Sequence, residues 1–419
     1  MRNPRLPLTI ASLFVTAISF LPVSSAYASD HLDTPTVAAD PRADIGDIYA
    51  WTSTDGHHMN LVMTIVGHSF SDAIGYTFHI DSGKVFGATS RTNDVTCRFS
   101  ASYTADCTVA DEHAAGMVDA AEGFASHSGR LRVFAGRRDD PFFNNVKGSR
   151  SAFDVAARAL EHGTPVDADG FPQFDAATVA SIRREWHQTD GGPGRNFLAG
   201  WTPACIVVTL DLGLVNSGGP LIAVWGETAS PHGRIDRAGR PLTGNALLSP
   251  LDEAKGDRLK ERYNRAEPAR AAQFIGDIQR TLGLYDGYDG VRGNQWLADT
   301  HAAPGMRYRR LATLLADDRL WVNSASARCT QLFAVELAHL SGRRDLAADC
   351  GGRTPNYDAS NIYRSLLAAG NLDGIDDGVH HDDRTHSMTR FPFLAAEVDS
   401  TPAYAAPSAA SSASADYHE

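Results

Sequence analysis

After residue 28 the chain has no apolar run approaching the ~20 residues that a membrane span needs. It has no basic excess either. Its 38 Lys and Arg stand against 50 Asp and Glu, a formal charge of −12, which disfavours a nucleic-acid partner because phosphate binding wants a basic face. Cysteine is scarce, with five in 419 residues, and no CxxC or CxxCH occurs, which disfavours thioredoxin-like chemistry and covalent haem. There is no G-x-S-x-G nucleophile turn; the nearest segment, Gly67-His68-Ser69-Phe70-Ser71, lacks the final glycine. A Walker A loop is absent, and the GGPG at 191–194 lacks the strand-turn-helix setting of a dinucleotide site, so no nucleotide cofactor is expected.

What is present fits a globular protein: 43% hydrophobic and 21% charged residues exclude wholesale disorder. Residues 1–28 read as a secretory signal peptide. Arg2 and Arg5 precede the apolar run Leu8 to Leu21, Pro22 breaks it, and Ala26-Tyr27-Ala28 is an A-x-A cleavage site. The expected location is therefore secreted or periplasmic, with no membrane attachment after cleavage. Export lets disulfides persist. Cys97 and Cys107 flank a hairpin-like stretch and can meet across two strands; Cys329 and Cys350 bracket a helical-looking segment and can form a second bridge. Cys205, inside the run ACIVVTLDLGLV, reads as a small buried core residue.

The patterning predicts an α+β fold: an antiparallel β-sandwich-like core with helical insertions and a mostly helical C-terminal half. Strands are expected at Asp47 to Trp51, Met59 to Val66, Tyr76 to Ile80, the Cys97–Cys107 hairpin, Leu131 to Ala135, Ile206 to Leu210, Leu221 to Trp225 and Gly233 to Asp236. Helices are expected over Arg150 to Glu161, Ala176 to His187, Leu251 to Ala266, Pro268 to Leu282, Met306 to Leu315 and Cys329 to Leu340. The whole reads as one large domain over 29–399, β-rich over 29–136, mixed over 137–249 and mostly helical over 250–399. The Ala/Ser/Pro-rich 400–419 reads as a disordered tail.

Four segments carry a resemblance: SDHLDTPTVAADPRADIGDIYAW at the start of the mature chain, VFAGRRDDPFF (133–143), RAGRPLTGNALLSP (237–250) and NLDGIDDGV…FPFLA (371–395). Together they resemble the bacterial secreted family known as domain of unknown function 4331, over roughly His31 to Ala396. The chain departs at DGVHHDDRTH, where that family tends to D-G-V-x-x-N-D. The resemblance implies export and a shared fold and implies no reaction.

Metal-competent side chains are plentiful. Cleavage after Ala28 would put His31 third, giving a free amine, two amides and an imidazole in the square-planar nitrogen set that Cu(II) or Ni(II) prefers. His31, Asp33, Asp40, Asp44 and Asp47 fall within seventeen positions, and Asp139 and Asp140 follow the predicted strand LRVFA with Arg137. Carboxylates at strand ends can gather Ca²⁺, or equally cap turns and pair with Arg42, Arg137 or Arg138. His380, His381, Asp382, Asp383 and His386 form the densest His/Asp group, suited to Zn or another transition metal. Two partial calcium loops are weaker. Asp167, Asp169 and Gly170 lack the first and last ligands, where Pro165 and Ala176 stand. Asp373, Asp377 and Gly378 are interrupted by Ile375 and Arg384. The leading expectation is a protein that binds a metal (Cu, Zn or Ca) or a small ligand without turning over substrate. One alternative is a metal-dependent extracellular hydrolase, with His31 or His380, His381 and His386 as ligands and an Asp as general base. Another is a cell-surface structural component.

Overall fold

The computed structural model describes residues 34–397. The leader, His31, Asp33 and the stretch 400–419 lie outside the described residues, and with them the copper-site expectation. The N-terminal half is built of eight strands: β1 (Ile45–Thr52), β2 (His58–Ile65), β3 (Gly75–Gly83), β4 (Arg91–Phe99), β5 (Thr104–Val109), β6 (Glu112–Met117), β7 (Phe124–Ala125) and β8 (Leu131–Arg137). Farther on come the short β9 (Gln188–Thr189) and β10 (Gly192–Pro193), then β11 (Ala204–Asp211), β12 (Leu221–Ser230), β13 (Gly233–Ala238) and β14 (Leu320–Asn323). The helices are α1 (Pro35–Ala39), α2 (Val146–Glu161), α3 (Ala176–His187), α4 (Thr243–Leu247), α5 (Glu253–Asn264), α6 (Ile275–Asp286), α7 (Arg309–Ala316), α8 (Ala334–Leu340) and α9 (Ala359–Ala369).

Two antiparallel sheets form the sandwich. One runs β1-β2-β11-β8-β7; the other runs β13-β12-β3-β4-β5-β6, with β14 also on β12. Their inner faces close on Ile48, Met63, Phe78, Val95, Val207 and Val224, all buried. Gly226 marks how tightly they meet, since a Cβ there would stand 2.4 Å from Ile48 Cδ1. Strand β1 is buried along all eight residues, which is why it reads as an apolar run rather than an alternating one. The edge hairpin β4–β5 alternates inward and outward, and Cys97 pairs with Cys107 across it in a disulfide. Cys329 and Cys350 form the second disulfide, and Cys205 is a buried free thiol on β11.

A second core lies among the helices, built around Trp186, Phe274, Tyr285, Tyr288, Leu311 and Tyr363. Helix α3 follows the expected 176–187, with the Asp175 carboxylate capping its Thr178 N–H at 2.7 Å. The C-terminal half is not mostly helical. Long irregular stretches interrupt its helices at 287–308 and follow the last of them at 370–397, and the segment Cys329 to Leu340 becomes helical only at Ala334. The polar loops between the helices are fixed instead by side-chain hydrogen bonds. Helix α9 was not expected; it is buried on nearly every side, its polar stripe of Ser360, Asn361, Arg364 and Ser365 included. No helix among the described residues is long and apolar enough to cross a membrane.

Candidate functional site

The segment leaving β8 places the predicted aspartates. Its backbone is held on both sides: Arg138 N–H donates to Pro203 O (3.3 Å), Asp139 N–H to Ala395 O (3.1 Å) and Asp140 N–H to Trp201 O (3.0 Å). Extended backbone sends successive side chains to opposite sides. Asp139 and Asp140, adjacent in sequence, therefore enter different clusters.

Asp139 meets Asp382 and His386. His386 Nε2 lies 3.0 Å from Asp382 Oδ2 and 3.4 Å from Asp139 Oδ2, and all three side chains are at most 5% exposed. One ligand atom from each lies within 4.8 Å of the others. Asp382 also accepts from Asn196 Nδ2 (2.9 Å) and Arg384 N–H (3.1 Å). The other ring nitrogen, His386 Nδ1, accepts the Ala395 N–H at 3.1 Å. An acceptor nitrogen carries no proton, so a neutral ring has its hydrogen on Nε2, facing the two carboxylates. The carboxylates act in the opposite sense: burial lowers the His386 pKa, but hydrogen bonds to Asp139 and Asp382 outweigh it and favour the charged ring. A proton on Nδ1 would face the Ala395 amide hydrogen, so we read the ring as neutral. Burial raises Asp139 to about 6, which makes it the carboxyl of this cluster that takes up a proton as pH falls. A metal on Nε2 would need Nδ1 as a donor, the reverse of what Ala395 offers.

Asp140 faces Tyr49 and Arg353. Its Oδ1 accepts from Tyr49 Oη (3.2 Å) and Phe142 N–H (3.1 Å), Arg353 Nη2 donates to Tyr49 Oη at 3.3 Å, and Arg353 Nη1 pairs with Asp47. These four residues are 2% exposed or less. Asp47 and Arg353 neutralise one another, which leaves Asp140 as the surplus acid; burial, then Asp47, raises it to about 8. Asp47 and Asp140 are thus part of a structural ion pair network between β1 and the loop before α9.

The other expected ligands do not join either group. Asp44 is buried where β1 begins, its carbonyl accepting from Val66 N–H at 3.0 Å. His380 is exposed, 3.5 Å from Asp358 and 3.4 Å from Asp376, and His381 is exposed with Nδ1 3.0 Å from the Asp382 carbonyl. In an irregular loop, neighbours in sequence need not share a face, so the His/Asp run splits. Asp40 pairs with Arg42 at 2.8 Å, the turn-capping role. The aspartates of the two partial calcium loops have partners within the protein. Asp167 and Asp169 pair with Arg292, and Asp169 also with Arg307. Asp377 is buried, accepting from Asn145 N–H, Asn361 Nδ2 and Val379 N–H. Cys205 is inert, its thiol pushed far up by burial.

Sequence reasoning did not single out one described cleft. It has a volume of about 480 Å³ and lies between α2, the segment 242–251, α5 and Arg364 of α9. Buried polar groups line it. Asn144 Oδ1 accepts from Arg364 Nη1 (2.8 Å) and Ser360 Oγ (3.0 Å), while Lys260 Nζ donates to Asn245 Oδ1 (3.0 Å). Leu242, Ala246 and Leu248 supply apolar wall. The one signal for it was the segment RAGRPLTGNALLSP, quoted above for its resemblance, whose second half forms this wall. No family model, curated protein or solved structure matches the chain.

Proposed function

We propose that this chain is an exported, non-catalytic binding protein whose ligand occupies the cleft between α2 and α5. The observation that carries this reading is the cleft itself: about 480 Å³, within the range of small-molecule sites, with apolar walls and a few convergent buried polar side chains. The leader pattern and the two disulfides support export. The test is mass spectrometry of small molecules released by denaturing protein purified from the exported fraction, alongside an Ala157→Trp variant. Ala157 lines the cleft and is part-exposed, so the larger ring obstructs it without entering the core. A small molecule released in near-stoichiometric amount by the wild type and missing from the variant is the expected result; equal release from both overturns the reading.

A second reading, a divalent metal at Asp139, Asp382 and His386, draws on their spacing. It requires the Ala395 amide to leave Nδ1, so metal would displace the segment 386–395. Elemental analysis of the same preparation decides it: stoichiometric zinc, copper or calcium lost in His386→Ala supports it, and equal metal content in both ends it.

A further inference from the structure

We infer that the cleft takes a ligand with an anionic head, a carboxylate or a phosphate, on an apolar body, and that Arg364 supplies its counter-charge; this rests on the reading of the cleft as the binding site.

Arg364 is 4% exposed and lines the cleft. Two other buried arginines have acids: Arg240 meets Glu336 at 3.2 Å, and Arg353 pairs with Asp47. The hydrogen-bond partners of Arg364 Nη1 are neutral, Asn144 Oδ1 and Ser360 Oγ, each at 2.8 Å, and its Nε is buried without a partner. It forms no ion pair among the described residues. Two groups nearby do not serve as the missing anion. The Tyr285 hydroxyl is pushed up to about 12 by burial and stays a neutral phenol. Asp377 is one hydroxyl away, 3.4 Å beyond Ser360 Oγ, and its oxygens already accept from Asn145, Asn361 and Val379. A buried guanidinium without a counter-charge is costly, and removing such a penalty is what a bound anion does. The planar fork of arginine suits the paired oxygens of a carboxylate or phosphate.

The rest of the lining sorts by charge and polarity. Lys260, 7% exposed, adds a second buried cation, with Asp257 3.6 Å away. The acids Asp154 and Glu253 are exposed, so they stand at the rim in water. Leu242 and Leu248, buried in the wall, can cover an apolar body. Asp257 offsets Lys260, so the cation that the cleft leaves without an acid is Arg364, and with apolar walls beside it that describes a site for an anion with a hydrocarbon part.

Calorimetric titration of the mature protein with octanoate, octyl phosphate and 1-octanol tests this. We expect one of the two anions to bind at least ~10-fold tighter than the alcohol, a charge-assisted contribution, and which of them wins names the head group. Arg364→Gln is expected to remove that preference while alcohol binding stays, and Ala157→Trp to weaken both. Should Arg364→Gln not fold, the wild-type comparison and Ala157→Trp still decide. Equal affinity for anion and alcohol, with both lost in Ala157→Trp, overturns the anionic head and keeps the cleft. An anion preference untouched by Ala157→Trp overturns the cleft reading and this inference with it. No binding of any probe overturns the inference, leaving the cleft to the released-ligand experiment.

Discussion

Asp140 and His79 are held in opposite states by their neighbours, and each gives a pH dependence of known sign. Asp140 is the acid left over after Asp47 and Arg353 pair, and burial followed by Asp47 raises it to about 8. A carboxyl raised above its unfolded value, ~3.9, keeps a proton in the folded state that the unfolded chain releases. Its contribution therefore favours folding at low pH and turns against it as pH rises from ~4 towards about 8. Asp140→Asn keeps an acceptor for Tyr49 Oη and Phe142 N–H but has nothing to ionise. Relative to wild type it is expected to gain stability with rising pH, on the order of 5 kcal/mol by pH 8, in urea unfolding across that range. A gap that does not change with pH would show Asp140 to be ionised throughout. His79 runs the other way. Burial lowers its pKa, but Asp94 at 2.8 Å and Glu227 at 3.4 Å prevail and carry it to about 9. Its contribution is complete below the unfolded value near ~6.5 and is lost as pH rises through about 9. With Asp94 half exposed and screened, His79→Gln is expected to cost ~1–2 kcal/mol at pH 6 and little at pH 10; a gap that widens with pH would contradict the charged imidazole.

Among elements, α9 matters most to the cleft and was the least legible. Half-buried elements such as β3, the β4–β5 hairpin and α3 announce themselves by periods of two or 3.6 residues. Helix α9 is buried nearly all round, and its polar stripe of Ser360, Asn361, Arg364 and Ser365 faces inward, where an amphipathic pattern would put solvent. Its Arg364 and Ser360 look like surface residues in the sequence, and only the fold turns them inward. The metal-competent residues show the converse. Composition marked Asp139, Asp382 and His386, yet nothing local could show that residues 243 or more positions apart would meet, or that Asp139 and Asp140 would part. The end of α9 is one place where sequence and geometry agree. Gly370 ends it in the left-handed region (φ +68°), and a Cβ there would stand 2.1 Å from Asn294 O. Gly370→Ala combines backbone strain with a clash against main chain, and is expected to cost ~2–3 kcal/mol in thermal unfolding. A loss below ~0.5 kcal/mol would mean that the loop at Asn294 yields freely.

At the scale of the molecule, the segment 138–145 is one of several chain crossings that join the sandwich to the helical core. Its side chains reach into both. Asp140 binds Tyr49 of β1, Phe142 packs in the helical core, and Asn144 holds Arg364 and Ser360 of α9. Asn145 closes the segment. It is fully buried, caps α2 through Gly148 N–H at 2.9 Å, and accepts from Thr189 Oγ1 at 2.8 Å. Its side-chain amide hydrogens are shared among the carbonyls of Trp186, Gln188 and Asp377, while its own N–H binds the Asp377 carboxylate. Removing that side chain leaves several buried partners unsatisfied at ~1 kcal/mol or more each, so Asn145→Ala is expected to lose ~3–5 kcal/mol. If 138–145 couples the two cores, the loss is global. Amide exchange should then accelerate to the same extent in β2 of the sandwich and α6 of the helical core, because both open only by unfolding the whole. Acceleration confined to α6, with β2 protected as in wild type, would show two cores that unfold separately. The cleft would then open without disturbing the sandwich, and ligand bound there would protect the helical core alone.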